Sequence, residues 1–405
     1  MGGHAIVAGG SIGGLFAASL LRNAGWEVTV LERSEMELSG RGAGIVTHDV
    51  LNMLIRATGA TTESLGVQVE ERVVYDREGG VVEREPLPQV VTSWDRVHSL
   101  LRALQPEGSY RLGVNVAGYS DRGDRVVVHA EGRPPLEADI LVGADGFRSA
   151  VRAQMQPDIQ PRYSGYVVWR ALADEADLSD AVREQVFPYF ALFLPAGTQI
   201  VGYPIAGPRN DLRPGHRRYN FVWYVPIPPE ELRDMLTDAS GRHHAISIPP
   251  PLVRPDIAAQ GAELARRLLP PQFVEILSKS EQPFFTPIYD HIAPRFSEGR
   301  VALAGDAACV ARPHVGMGVT KAACDAEALA RHLAAGQDRV EAALRAYSAE
   351  RQPEALLALE TARRLGAMIF QEEGAERNRD GRSNPNMRSM VLETAVGPAR
   401  RASVG

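Results

Sequence analysis

The chain has 405 residues, 44% of them hydrophobic and 23% charged, with a formal net charge of −6. That length exceeds what a single core sustains, about 250–300 residues, so two domains or one interrupted domain is expected. Disordered, collagenous and coiled-coil chains are excluded by composition, and the acidic balance leaves nothing to attract nucleic acid.

His4 to Ala8 is an apolar run ended by Gly9-Gly10-Ser11-Ile12-Gly13-Gly14. Leu15 to Ala24 has helical periodicity closed by Gly25, and Glu27-Val28-Thr29-Val30-Leu31-Glu32 is a second strand. Strand, glycine turn, helix and parallel strand form a βαβ opening. Residues 73–94 carry two β-rich runs around Gly79-Gly80, a predicted hairpin, and 97–104 a short amphipathic helix. Val114 to Gly143 reads as a three-stranded meander. Its third run, Ala138-Asp139-Ile140-Leu141-Val142, empties into Gly143-Ala144-Asp145-Gly146. The stretches 164–205 and 218–228 are rich in Tyr, Phe, Trp and Val and predict antiparallel strands. Helices follow near 256–268 and 271–279, between prolines. Arg300 to Ala304 is another buried strand, ending at Gly305-Asp306, and helices are predicted over about 319–335 and 338–370. The tail, 372–405, predicts a mobile segment or a helix docked on a neighbour.

Nucleotide-type elements therefore flank a β-rich body. The expected fold class is α/β (α+β). A Rossmann-like nucleotide-binding domain with a β-meander, over 1–72, 95–160 and 286–371, is interrupted by a substrate domain. That second domain, over 73–94 and 161–285, is built on a mainly antiparallel sheet.

Three turns carry chemistry. At Gly9 to Gly14 a strand must turn sharply into a helix whose N-terminus faces a pyrophosphate, and small residues let the backbone approach. Ser11 stands where the usual pattern has glycine, and it preserves the approach if its φ is negative. Glu32 ends the second strand 18 residues past Gly14, where an acid takes the ribose hydroxyls of a dinucleotide. The second turn is Gly143-Ala144-Asp145-Gly146. The third is Gly305-Asp306, followed by Pro313-His314-Val315-Gly316-Met317-Gly318 and a helix. There Asp306 can meet a ribitol hydroxyl, and Gly316 and Gly318 bring backbone N–H groups at a helix start against a flavin carbonyl.

In this order and at these separations the three elements resemble the single-component FAD-dependent aromatic hydroxylases, the para-hydroxybenzoate hydroxylase-like family. "GGSIGGL", "GRGAGI" and "GDAACVARPHVGMGVTKAA" are similar to the branch containing 2,6-dihydroxypyridine 3-hydroxylase. Cys309, Met317 and Thr320 stand where the family's third motif usually has His, Gln and Asn. The resemblance covers roughly residues 4–370. It implies FAD as cofactor, NADH or NADPH as co-substrate, O2 and a small aromatic substrate, and it allows a homodimer. It implies that Glu32 and Arg33 contact the adenosine, that Arg41 lies beside the flavin with Gly42-Ala43-Gly44, and that Asp306 holds the ribitol. Trp94 stands where many relatives begin a helix with Arg, so the resemblance leaves the cofactor contact to a later Arg, Arg96 or Arg102, with Arg102 preferred. The implied cofactor set is Gly9, Ser11, Gly13, Gly14, Glu32, Arg33, Arg41, Arg102, Asp145, Gly305, Asp306, Pro313, Gly316, Met317 and Gly318.

The implied chemistry passes through a flavin C4a-hydroperoxide, whose distal oxygen attacks only an electron-rich ring. A hydroxyl on that ring activates it best as phenolate, so the site needs a base and a dry chamber. His48, just past the flavin-edge segment, is the first candidate, and its ordinary pKa of about 6.5 suits the task. A His that caps the helix near 49–57 is the alternative. His314, on the flavin loop, and Tyr224, on the middle sheet, are candidates for substrate contact. Arg170 and Lys321 read as solvated or paired charges. Cys309 and Cys324 are too few for a disulfide framework and are expected in the core, in a reducing cytoplasm. His243-His244 lacks partners at metal spacing, so no metal is expected. No apolar run reaches the roughly 18 residues of a membrane span, and the start has no signal-type segment. A soluble cytoplasmic enzyme is expected. Other flavin chemistry on the same scaffold, such as epoxidation or reduction, stays open, and a non-catalytic flavin-binding sensor stands further off.

Overall fold

The computed structural model describes residues 2–38, 44–336, 339–370 and 385–396. Two sheets organise it, with a small meander beside them. The first has six strands in the order Ser297–Glu298, Val301–Leu303, Ile140–Gly143, His4–Ala8, Glu27–Leu31, Tyr110–Arg111. His4–Ala8 pairs in parallel with Ile140–Gly143 on one side and Glu27–Leu31 on the other, and Val301–Leu303 runs parallel to Ile140–Gly143. Ala8 lies opposite both Gly143 and Leu31, and Gly143 lies opposite Leu303. All three motif turns therefore leave the sheet at one carboxyl end, where open parallel sheets bind ligands. Helices cover the sheet because its central strands are largely apolar and buried. Helix Ile12–Asn23 buries Leu15, Phe16 and Leu21, and helix Gly318–Ala335 buries Ala326 and Leu329, in one core with Ile6, Val142 and Leu303.

The meander is Val116–Asp121, Val126–Ala130 and Leu136–Ala138. Its predicted third run divides at Asp139, after which Ile140–Gly143 enters the parallel sheet. Asp139 makes the step between sheets. Its N–H donates to the His4 carbonyl (2.8 Å) and its Oδ2 accepts from the His4 N–H (2.7 Å).

The larger sheet has nine strands in the order Cys309–Val310, Phe284–Ile292, Arg162–Asp174, Arg218–Pro226, Gln199–Ile205, Tyr189–Phe193, Val67–Tyr75, Val81–Ser93, Gly44–Val46. All its neighbours are antiparallel except Tyr189–Phe193 with Val67–Tyr75. The expected boundaries at 72/73 and 285/286 fall inside Val67–Tyr75 and Phe284–Ile292. Both strands span positions where composition does not change, so sequence gave no reason to extend them.

Alternation gives this sheet two unlike faces. Trp169, Phe221, Trp223 and Phe285 point to helices Asp180–Val186, Pro255–Leu268 and Pro271–Lys279. Tyr166, Val168, Val201, Tyr203, Val222 and Tyr224 occupy the opposite face.

The tail departs from expectation in where it docks. Helix Met387–Glu393 packs on this chain's own sheet, burying Met390 and Val391. Arg72, fully buried, donates to the carbonyls of Val391 (2.6 Å) and Thr394 (2.6 Å), and Gln89 Nε2 donates to that of Ala395 (3.1 Å). A buried cation caps the orphan carbonyls of a helix end. Among the described residues, no helix is long and apolar enough to cross a membrane.

Candidate active site

The first turn is built by steric exclusion. Gly9 has φ 104°, and a Cβ there would lie 2.3 Å from the Ala144 carbonyl oxygen. A Cβ on Gly10 would come 2.2 Å from the Tyr110 hydroxyl, and one on Gly14 1.9 Å from the Gly9 carbonyl oxygen. Ser11 has φ −75°, so it needs no glycine, and its side chain does not cap helix Ile12–Asn23. The helix N-terminus thus keeps its N–H groups for an anion. Glu32 is 6% exposed. Its Oε2 accepts from the Gly10 N–H (2.8 Å) and its Oε1 from the Ser34 N–H (2.8 Å), which ties the second strand's acid to the first turn. A cavity of about 300 Å³ opens here, lined by Gly9, Ser11, Glu32, Arg33, Trp94 and Asp145 among others. Close backbone approach, an uncapped helix start and a fixed carboxylate fit the adenosine and pyrophosphate of a dinucleotide.

The third motif meets the first. The Cβ positions of Gly13 and Gly305 each lie 3.4 Å from the Ala322 Cβ, so both turns converge on helix Gly318–Ala335. Gly305 has φ 61°. Its carbonyl accepts from Lys321 Nζ (2.8 Å), and its N–H donates to Asp325 Oδ2 (3.0 Å). Asp325, fully buried, also pairs with Lys321 (3.2 Å) and Arg351 (3.0 Å). Two cations on one carboxylate clamp the turn that carries Asp306. Asp306 itself is exposed, yet the protein crowding its carboxyl raises its pKa, and Lys321 pulls the other way. Met317 precedes the helix and leaves its N-terminus uncapped, after Gly316 at φ 62°. Beneath the loop, Arg152 donates to the Ala307 carbonyl (3.3 Å) and to His291 Nε2 (3.0 Å). Burial first, and the Arg152 charge second, hold His291 down to about 4.

His48 stands at the N-cap position of helix Asp49–Ala57, but its ring does not cap the helix. Nδ1 lies 3.0 Å from Thr320 Oγ1 instead, within the buried seam between the flavin-edge segment and the third motif. His314 is 1% exposed; its Nε2 lies 2.8 Å from the Tyr166 hydroxyl, and its ring stacks on Tyr224 at 4.6 Å. Burial, then the Arg312 charge, holds it down to about 3, so it is neutral at any working pH. Burial likewise pushes Tyr224 up to about 12. The tail reaches this wall, where the Ala395 N–H donates to the His314 carbonyl (2.9 Å).

Two expected cofactor residues also hold partners within the chain. Arg102 pairs with Glu37, on the loop after Glu27–Leu31 (2.8 Å), over the Tyr110 ring, and is not among the residues lining the cavity. Asp145 lines the cavity, but its carboxylate accepts from the Ser149 hydroxyl (2.5 Å) and the Ala150 N–H (2.7 Å), capping helix Ala150–Met155. Arg41 lies outside the described residues. Lys321, read as solvated or paired, is paired and buried. Arg351, Asp325 and Arg72 escaped the sequence reading, since single charges inside helical or β periodicity carry no motif. Cys309 is buried and Cys324 half-buried, both as free thiols.

A family model described as FAD binding domain-like matches residues 163–290. Over 326 residues the chain is 33% identical to the 2,6-dihydroxypyridine 3-monooxygenase of Paenarthrobacter nicotinovorans, covering 80% of this chain and 81% of that one. It is 28% identical to the 3-amino-4-hydroxybenzoate 2-monooxygenase of Streptomyces cremeus, covering 91% and 88%. The solved structure of 2,6-dihydroxypyridine-3-hydroxylase from Arthrobacter nicotinovorans superposes with a TM-score of 0.88 at 28% identity, covering 98% of this chain and 97% of the other.

Proposed function

Because the chain belongs to the FAD-dependent aromatic hydroxylases, we propose that its carboxyl-end cleft holds FAD and opens on a chamber in which a small aromatic ring is hydroxylated. NADH or NADPH and O2 are consumed. The substrate is an electron-rich, hydroxylated aromatic or N-heteroaromatic ring of the hydroxypyridine kind. Gly13 and Gly305 meeting at Ala322 carry the reading, because they bring the pyrophosphate turn and the ribitol turn to one ligand.

Bound FAD supplies electrons taken from NAD(P)H and a means of activating O2. The residues here do the rest. Gly9, Ser11, Gly13 and Gly14 present helix N–H groups to the pyrophosphate, and Glu32 and Arg33 take the adenosine. Gly305 and Asp306 hold the ribitol. Pro313 shapes the loop and accepts the Gly316 N–H at its carbonyl (2.9 Å), which leaves Met317 and Gly318 to offer backbone N–H groups to the flavin carbonyls. His48, oriented by Thr320, accepts the proton of the substrate hydroxyl and so enriches the ring. His314, held neutral, stiffens the wall at Tyr224. The aromatic and aliphatic side chains on the face of the large sheet that carries Tyr166, Val168, Val222 and Tyr224 keep water from the reacting oxygen. The same reading takes the enzyme to be a cytoplasmic homodimer, which sedimentation of the FAD-loaded protein tests.

The test is substrate-stimulated NAD(P)H oxidation with one atom of labelled O2 in the product; product without label refutes hydroxylation. In His48→Ala, hydroxylation should fall by about two orders of magnitude. FAD content should hold, and more reduced oxygen should leave as hydrogen peroxide. Unchanged coupling across pH 6–9 refutes His48 as the acceptor.

A further inference from the structure

The last described stretch of the chain, 387–396, touches the third-motif loop and the large sheet at once. On the loop side the contact is backbone to backbone. The Ala395 N–H donates to the His314 carbonyl (2.9 Å). Two residues on, Gly316 has φ 62°, and a Cβ there would come 2.8 Å from both the Cα and the Cβ of Ala395. The loop leading to Met317 and Gly318 is thus shaped to the surface of the tail. Glycine is required at 316 for its dihedral and again for this approach.

On the sheet side the tail is held by Arg72, from strand Val67–Tyr75. Arg72 is fully buried over the Phe190 ring (4.6 Å). Its Nη1 donates to the carbonyls of Val391 and Thr394, and its Nη2 to that of Ala395 (3.4 Å) and to Gln89 Oε1 (2.7 Å). Gln89 Nε2 adds a second bond to the Ala395 carbonyl. Ala395 needs this hold. Its φ is 53°, a region that side chains seldom adopt, and such a residue persists only where its surroundings over-determine it. Here its carbonyl is fixed by the sheet and its N–H by the loop. The outer ion pairs of the helix, Arg388 with Glu83 and Glu85 and Arg364 with Glu393, use exposed arginines and contribute little.

We propose that residues 387–396 form a clasp on the cofactor site, in which Arg72 and Ala395 are positioning residues that fix the flavin loop through the His314 carbonyl. Seating of the tail and binding of FAD are then coupled, because ordering either one lowers the cost of ordering the other. This rests on the reading of 313–318 as the loop that meets the flavin. A chain with its tail unseated keeps the pyrophosphate turn and the ribitol turn and loses the order of 313–318, so it holds FAD more weakly.

Hydrogen exchange of the full chain, with and without FAD, reads the tail at 387–396 and the loop at 312–318. Flavin fluorescence on titrating each apoprotein gives the FAD Kd. FAD should slow exchange in both stretches. Arg72→Met should speed exchange at 387–396 and weaken FAD on the order of tenfold. By reciprocity that loss cannot exceed the factor by which FAD slows tail exchange in the wild type, and a larger loss overturns the clasp. Arg72→Lys, which keeps the charge and part of the bonding, should lie between. Ala395→Val leaves Arg72 in place but sets a β-branched residue at φ 53°, and it should loosen tail and FAD together. A merely structural Arg72 would lower the melting temperature of apoprotein and FAD-loaded protein alike and leave Kd untouched; that result overturns the proposal. If Arg72→Met does not fold, Ala395→Val decides: a faster tail with wild-type Kd overturns it. FAD that protects 312–318 but not 387–396 sinks the clasp alone. FAD that protects neither sinks the reading of the loop, and the clasp with it.

Discussion

Replacing Gly14 with Ala tests the pyrophosphate cradle directly. The new Cβ would stand 1.9 Å from the Gly9 carbonyl oxygen and 3.3 Å from Val7 Cγ1. The turn must open by more than 1 Å to restore an ordinary contact of about 3 Å or more. Gly9 cannot yield, because its N–H is bonded to the Leu31 carbonyl (2.8 Å) and its outer side faces the Ala144 carbonyl. The displacement therefore falls on the start of helix Ile12–Asn23, whose N–H groups bind the anion. Each charge-assisted N–H bond contributes about 1.5–3 kcal/mol, so losing one weakens FAD binding by about tenfold to a hundredfold. Intrinsic propensity works the other way, favouring Ala over Gly in a helix by about 1 kcal/mol. Flavin fluorescence on titrating apoprotein with FAD gives the Kd. Gly13→Ala is the control for folding: its Cβ would meet Ala322 Cβ at 3.4 Å, an ordinary contact, and the apoprotein should melt no lower than wild type. A Gly14→Ala protein that binds FAD within about threefold of wild type would show that the close approach is irrelevant.

Two further outcomes follow from buried charge. His291 and His314 are held down to about 4 and about 3, below the ordinary value of about 6.5, so the unfolded chain binds more protons than the folded one. Stability should then fall as pH drops below about 6.5, by about 1.4 kcal/mol per pH unit for each histidine, until their folded pKa values are reached. Urea unfolding at pH 7 and 5.5 reads this, and His314→Gln should flatten the slope; a wild type indifferent to pH over that range contradicts it. Asp325→Asn leaves Lys321 and Arg351 buried without a carboxylate, which should cost about 3–5 kcal/mol and loosen FAD at the Gly305 turn. Adding Lys321→Met should recover part of the melting temperature, and no recovery refutes the clamp.

What the sequence disclosed was whatever local chemistry dictates. Gly9 and Gly305 adopt positive φ, Ser11 does not, and Glu32 closes on the first turn, because each is constrained within a few residues of chain or one strand pairing. His48 shows the limit. Its N-cap position was legible, but its bond to Thr320 spans 272 residues, and no periodicity announces that. The pairing of Arg102 was not legible because Glu37, its partner, sits on a loop with no regular pattern. Arg170 looks in sequence like one more surface charge on a strand. Only the register that sets it beside Val222 reveals a cation facing inward. The run from Ala138 to Val142 looks like one strand, and Asp139 divides it through bonds to His4, at the far end of the motif-bearing segment.

Arg72 grips carbonyls 319 and 322 residues further along the polypeptide. Closures of that span come late, since the intervening chain must be ordered before they return any free energy. A ribosome releases Val391 only after every strand of both sheets has emerged. The wall beside His314, where the Ala395 N–H donates to the His314 carbonyl, is thus completed by the last-made segment of the described residues.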